Sequence, residues 1–157
     1  LWRDKALWEI IQISGKLSLA DSLELPYYQV QALTAQEQFD LAWQSAETLK
    51  EPYPLSELAQ RWAPIDPQAA LAVVEALERE ADKAAPLKAV ALAAPEDYQA
   101  FERALGMALA ARVRNDALAP AQASLDLALT FAQAGHLDQA QAAFEQAVAA
   151  AERISIQ

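Results

Sequence analysis

Residues 121–152 read AQASLDLALTFAQAGHLDQAQAAFEQAVAAAE. Leu127 and Phe131 lie four positions apart, and Ala140, Phe144, Ala147 and Ala151 follow at steps of three and four, so each set falls on one face of an α-helix. Gly135 stands between the two sets, and glycine adopts the left-handed backbone that ends a helix without steric cost. A helical hairpin is the expectation, with small Ala140 allowing close approach of its two helices. The same pattern recurs near the start of the chain, where Leu7, Ile11, Gly15, Leu17 and Ala20 match Leu127, Phe131, Gly135, Leu137 and Ala140 at one constant offset.

Fainter copies lie between these two. Phe39, Asp40, Leu41 and Ala42 echo Leu137, Asp138, Gln139 and Ala140, while Ala46, Leu49, Pro52 and Tyr53 echo Ala20, Leu23, Pro26 and Tyr27. The runs from Asp66 to Ala70 and from Pro95 to Ala100 open further second helices. Taking Ala20, Ala42, Ala70, Ala100 and Ala140 as equivalent, the steps are unequal and the array is irregular. Proline is accepted in the first turn of a helix and breaks its interior. Pro26, Pro52, Pro54, Pro64, Pro67, Pro86, Pro95 and Pro120 therefore serve as boundary markers. The helices expected are near 3–14, 18–25, 27–34, 37–50, 54–62, 67–83, 87–93, 96–115, 121–134 and 137–153.

Through Leu127, Ala128, Phe131, Gly135, Leu137, Ala140, Phe144 and Ala147, residues 121–152 resemble a tetratricopeptide repeat. Residues 5–20 resemble the first half of the same motif, with Trp8 where that family has a small residue, and the run DPQAALAVVEAL from Asp66 to Leu77 is similar to other α-solenoid repeats. The resemblance implies an all-α fold: a right-handed superhelical array of about five antiparallel helix pairs. It also implies a concave surface lined by the first helix of each pair. That would place Trp2, Lys5, Glu9 and Gln12 there from the first copy, and Gln122, Leu125, Leu129 and Ala132 from the last. These positions lack the Lys, Asn and Arg group with which some members clamp a terminal carboxylate, so a partner with an apolar or basic segment is implied.

Composition agrees with a folded helical chain. Apolar residues make up 54% beside 22% charged, which separates the chain from disordered sequences, and Ala, Leu, Gln and Glu, all good helix formers, dominate. The formal net charge of −10 repels a phosphate backbone, so nucleic acid is not an expected partner. Arg103, Arg112 and Arg114 are the strongest local basic group and read as a solvated face. Absence of cysteine excludes disulfides, thiolate metal sites and a Cys nucleophile. No apolar run reaches the ~20 residues needed to span a bilayer, and Arg3, Asp4, Lys5, Glu9 and Lys16 interrupt the first twenty residues where a signal peptide needs an apolar core. Residues 1–157 are expected to form a single soluble helical-repeat domain, a fragment of a longer chain because it opens on Leu1, with the cytoplasm favoured over the periplasm.

Little points to chemistry. His136 is the sole histidine and sits after Gly135 in an expected turn; Gly15, Gly106 and Gly135 are too far apart for a phosphate loop. Glu78 with Glu80, and Glu96 with Asp97, read as solvated charges. Neither a cofactor nor a metal is expected. Trp2, Trp8, Trp43, Trp62, Tyr27, Tyr28 and Tyr53 crowd the first 62 residues, and large rings fill cores or anchor partners. Among them Tyr27, Tyr28 and Trp62 join the candidate partner contacts. The expected function is a non-catalytic scaffold holding a protein or peptide on its concave face. The alternative is a helical enzyme or ligand-sensing domain around an enclosed pocket. Ala143, Phe144, Ala147, Val148 and Ala151, with Ile154 and Ile156, are expected to leave an apolar end uncovered, so a homodimer through the terminal helices is the simplest association. Circular dichroism should show a predominantly helical spectrum, and strong strand content would end the repeat reading.

Overall fold

A computed structural model describes residues 2–46, 49, 51–111 and 116–155. The fold is all-α, and no β-strand occurs among the described residues. Two compact units divide it, Leu1–Pro86 and Leu87–Gln157. The first holds α1 (Trp2–Ser14), a 3₁₀ helix (Leu17–Ser22), α2 (Pro26–Ala35), α3 (Phe39–Ala46), α4 (Pro52–Trp62), α5 (Pro67–Ala76) and the start of α6 (Glu80–Ala93). The second holds the remainder of α6, then α7 (Tyr98–Leu109), α8 (Ala119–Gln133) and α9 (Leu137–Ser155).

Consecutive helices pack on one another: α2 on α3 and α4, and α4 on α5, in the first unit, and α8 on α7 and α9 in the second. Pro26, Pro52, Pro67 and Pro120 stand in the first turns of α2, α4, α5 and α8, where a missing N–H costs nothing. Asp66 and Asp97 cap α5 and α7 by accepting from the backbone N–H of Ala69 at 2.9 Å and of Gln99 and Ala100 at 3.1 and 3.3 Å. In the core of the second unit, Phe101 meets Phe131 edge-on with ring centroids 5.1 Å apart.

Several boundaries differ from expectation. The helix expected over 96–115 begins at Tyr98 and stops at Leu109, where the Ala110 N–H closes the last turn on Gly106. Residues 17–22 form a 3₁₀ helix instead of an α-helix over 18–25, because Leu23 and Leu25 are extended ahead of Pro26 and the residue before a proline disfavours the α region. The expected helix over 67–83 stops at Ala76, where buried Leu77 turns extended. A new helix then runs from Glu80 through Pro86, which had been read as a boundary. Its first turn carries Glu80 and Asp82, and ion pairs Lys83–Glu80 at 2.8 Å and Arg79–Asp82 at 3.0 Å hold it. Acidic residues at a helix N-terminus complement its dipole, and Pro86 forfeits only the bond to the Asp82 carbonyl.

The hairpin α8–α9 closes as the sequence predicts. Gly135 has φ of +85°, and the N–H of His136 donates to the Phe131 carbonyl at 2.9 Å, the six-to-one bond of a Schellman end. The hairpin α2–α3 closes with the same bond, from Gln38 N–H to the Leu33 carbonyl at 2.9 Å, around Glu37 at φ +59°. Ala42 and Ala140 occupy the same place after the turn, donating to the carbonyls of Gln38 and His136 and buried in both copies. Gly15 is also left-handed, but its own N–H bonds Ile11 and a 3₁₀ helix follows. The hairpin that matches α8–α9 in its turn is therefore α2–α3, and not the one formed by α1.

The apolar end expected on α9 is divided. Ala143 and Ala147 are buried, while Phe144 and Val148 are exposed; Ile156 lies outside the described residues. Since Ala140 is buried, Ala140→Leu should lower stability by about 1–3 kcal/mol through overpacking. Ala72→Leu at an exposed position of α5 should change it by less than about 0.5 kcal/mol. Chemical denaturation of the two variants checks this.

Candidate functional site

The candidate partner contacts fall in three places. Trp2, Lys5, Glu9 and Gln12 are all exposed along α1, with the Lys5 ammonium 5.7 Å from the Trp2 ring centre and 3.9 Å from the Glu9 carboxylate. Tyr27 and Tyr28 are half-buried at the start of α2, edge to face at 5.0 Å. Trp62 is buried at the end of α4, stacked 5.8 Å from Phe39. Gln122, Leu125, Leu129 and Ala132 are exposed in one row on α8 in the second unit.

Other exposed side chains were not singled out from the sequence. On α1, Leu7, Trp8 and Ile11 pack inward with Leu17, Leu19, Ala20, Leu23, Tyr28 and Ala32. The opposite face carries Trp2, Ala6, Ile10 and Ile13, all exposed, Ile13 to 89%. The helix is thus apolar on two sides. A periodicity search finds the inward row first, and the signal for the second row is the i, i+4, i+8, i+11 spacing of Trp2, Ala6, Ile10 and Ile13.

A polar clasp sets the position of α1. Buried Asp4 accepts from the backbone N–H groups of Glu24 at 2.8 Å and Leu25 at 2.7 Å. Arg3 pairs with Glu24 and donates to the Ser22 carbonyl at 3.2 Å, and Gln29 donates to the Leu23 carbonyl at 2.7 Å. The backbone hydrogen bond from Leu25 holds the Asp4 carboxyl below its usual range against the opposing effect of burial, with further help from Glu24 and the Arg3 charge.

The matched hairpins differ in what covers them. In the first unit α4 lies along α2 and α3. Burial raises the Tyr27 hydroxyl pKa, and Tyr28, Tyr53, Glu51 and Glu57 push it further up; Tyr53 and Glu57 belong to α4 and Glu51 is its N-cap residue. At the other end Trp62 of α4 covers Phe39. From Tyr27 to Phe39 the row Gln31, Thr34, Phe39 and Ala46 is buried. Aligned on the shared turn, Tyr27, Gln31, Thr34, Phe39 and Ala46 correspond to Leu125, Leu129, Ala132, Leu137 and Phe144. All five of the latter are exposed, Leu129 to 52% and Leu137 to 69%. This row is the candidate site: the face that one helix covers in the first hairpin stands open in the second.

Elsewhere, a cavity of about 110 Å³ is lined by Leu49, Pro52, Leu55, Ala76, Leu77, Glu78, Arg79 and Asp82. No group of three or more His, Asp or Glu side chains arranged to hold a metal occurs among the described residues. His136 lies in the α8–α9 turn with its ring 6.0 Å from Phe131. Of the basic group, Arg103 is on α7, and Arg112 and Arg114 lie outside the described residues. No helix among the described residues is long and apolar enough to cross a membrane. Comparison with protein-family models, curated proteins and solved structures returns no match to this chain.

Because its folded pKa is depressed, Asp4 contributes stability that is complete above its ordinary value of 3.8 and is lost as pH falls through the folded value. Asp4→Asn should therefore destabilise the protein at pH 7 and narrow its difference from wild type below about pH 4, as urea titrations at both pH values would measure.

Proposed function

We propose that this chain is a tetratricopeptide-like α-solenoid scaffold, a right-handed stack of helix pairs, that holds a helical segment of a protein or peptide partner without catalysing a reaction. The observation that carries this reading is the open row Leu125, Leu129, Ala132, Leu137 and Phe144 on the α8–α9 hairpin. Exposed apolar side chains gathered on one face mark interaction surfaces, and a helix laid on such a face engages it through anchors at three- and four-residue steps. The candidate contacts Gln122, Leu125, Leu129 and Ala132 belong to this row. Trp2, Lys5, Glu9 and Gln12 form a second exposed face on α1, while Tyr27 and Tyr28 are half-buried at the start of α2 and Trp62 of α4 covers Phe39. An enzyme or sensor would bind its ligand in a closed pocket with converging polar groups, and the open row is a better match to a helix than to a small molecule.

Affinity capture from the source cell tests the reading. The wild-type chain should retain a protein that Leu125→Glu/Leu129→Glu loses, with both chains equally helical by circular dichroism. An identical retained set would refute the α8–α9 site.

A further inference from the structure

We infer that the segment seated on the α8–α9 face is helix α1 of a second copy of this chain, so that copies associate head to tail. The inference rests on the proposed reading of that face as a helix seat and names its occupant. Three observations lead to it.

The first is the form of the occupant. In the covered hairpin one helix, α4, lies over the seat with its Trp62 stacked on Phe39, and Leu55, Ala59 and Trp62 are among its buried residues at steps of four and three. On α1, Ala6, Ile10 and Ile13 repeat those steps, and Trp2 extends the row by one turn. They are exposed although their helix is already packed through its other side. The second is length. Ala6 to Ile13 spans seven residue steps, as Leu125 to Ala132 does, about 10 Å of helix axis in each case, so the α1 row can meet the α8 part of the seat along its length.

The third is charge. Arg3, Lys5 and Lys16 are exposed on and after α1, with Glu9 the one exposed acid of that helix. Around the seat Asp126, Asp138, Glu145 and Glu152 are exposed, with Arg153 the nearest basic residue in sequence. The exposed cations of α1, Arg3 and Lys5 beside Glu9, thus meet an acidic seat, which steers encounter and selects orientation. The ion pairs Arg3–Glu24 and Lys5–Glu9 join exposed groups, and such pairs give way at little cost. Two copies of the seat would instead bring like charges together.

Because a single helix on a hairpin falls below the ~1,200 Å² of stable complexes, association should be weak. Sedimentation velocity of the full chain from about 10 µM to 1 mM covers that range. Wild type should associate as concentration rises, and less so at high salt. Ile10→Glu/Ile13→Glu loses the α1 face and Leu125→Glu/Leu129→Glu loses the seat; all four positions are exposed, so helicity should be unchanged. Each variant alone should stay monomeric, and an equimolar mixture should form a one-to-one dimer, since one supplies an intact α1 and the other an intact seat. A variant that dimerises alone would show a symmetric contact and overturn the inference. So would a wild-type chain monomeric throughout. In that second case, a different protein captured by wild type and lost by the seat variant would leave the helix seat standing, whereas no capture would refute both.

Discussion

A single backbone hydrogen bond sets the phase of the two matched helical hairpins, α2–α3 and α8–α9. When the N–H after a left-handed residue returns to a carbonyl one turn back, it satisfies an end group that burial would otherwise penalise. It also fixes the angle at which the next helix leaves. In α8–α9 the bond joins His136 to Phe131, and in α2–α3 it joins Gln38 to Leu33. With the phase set, Ala140 and Ala42 point inward, the helices approach closely, and the outer rows of both hairpins fall in register. Glu37 bears a left-handed conformation that costs an L residue about 1–2 kcal/mol, and the closing bond and the packing beyond it offset that cost.

The sequence made α8–α9 legible because Gly135 announces its turn and apolar spacing flanks it on both sides. Prolines at the starts of α2, α4, α5 and α8 were legible for an equally local reason. Pro86 misled, since its position deep in α6 is decided by the acidic turn at Glu80 and Asp82 and by the interruption at Leu77. The equivalence of α2–α3 with α8–α9 was faint because Glu37 stands where glycine is expected. The constant-offset match to α1 pointed to Gly15 instead, whose turn is of another kind.

Part of the candidate site could be read and part could not. Gln122, Leu125, Leu129 and Ala132 were expected to line a concave surface, and all four are exposed on α8. That the row continues through Leu137 and Phe144 depends on the turn, which no periodicity within one helix reports. Hydropathy even points the wrong way. Gln31 and Thr34 are polar and buried, with Gln31 Oε1 and Thr34 Oγ1 lacking a hydrogen-bond partner among the described residues. Their counterparts Leu129 and Ala132 are apolar and exposed. The packing of neighbouring helices on α2, and not hydropathy, puts the first pair inside. The second face of α1 was missed for a related reason, since one amphipathic stripe normally suffices for a surface helix and α1 carries two.

The Asp4 clasp has a consequence for how the first unit comes apart. Its two hydrogen bonds tie the first turn of α1 to residues twenty and twenty-one positions later, closing a loop that contains the rest of α1, Gly15 and the 3₁₀ helix. Opening that loop releases conformational entropy only when both amides are freed. Inside it lie Ile11, Ala20 and Leu23 of one apolar cluster, whose burial is lost in the same event. Helix α1 is thereby joined to the start of α2, and the two are expected to open as one cooperative segment.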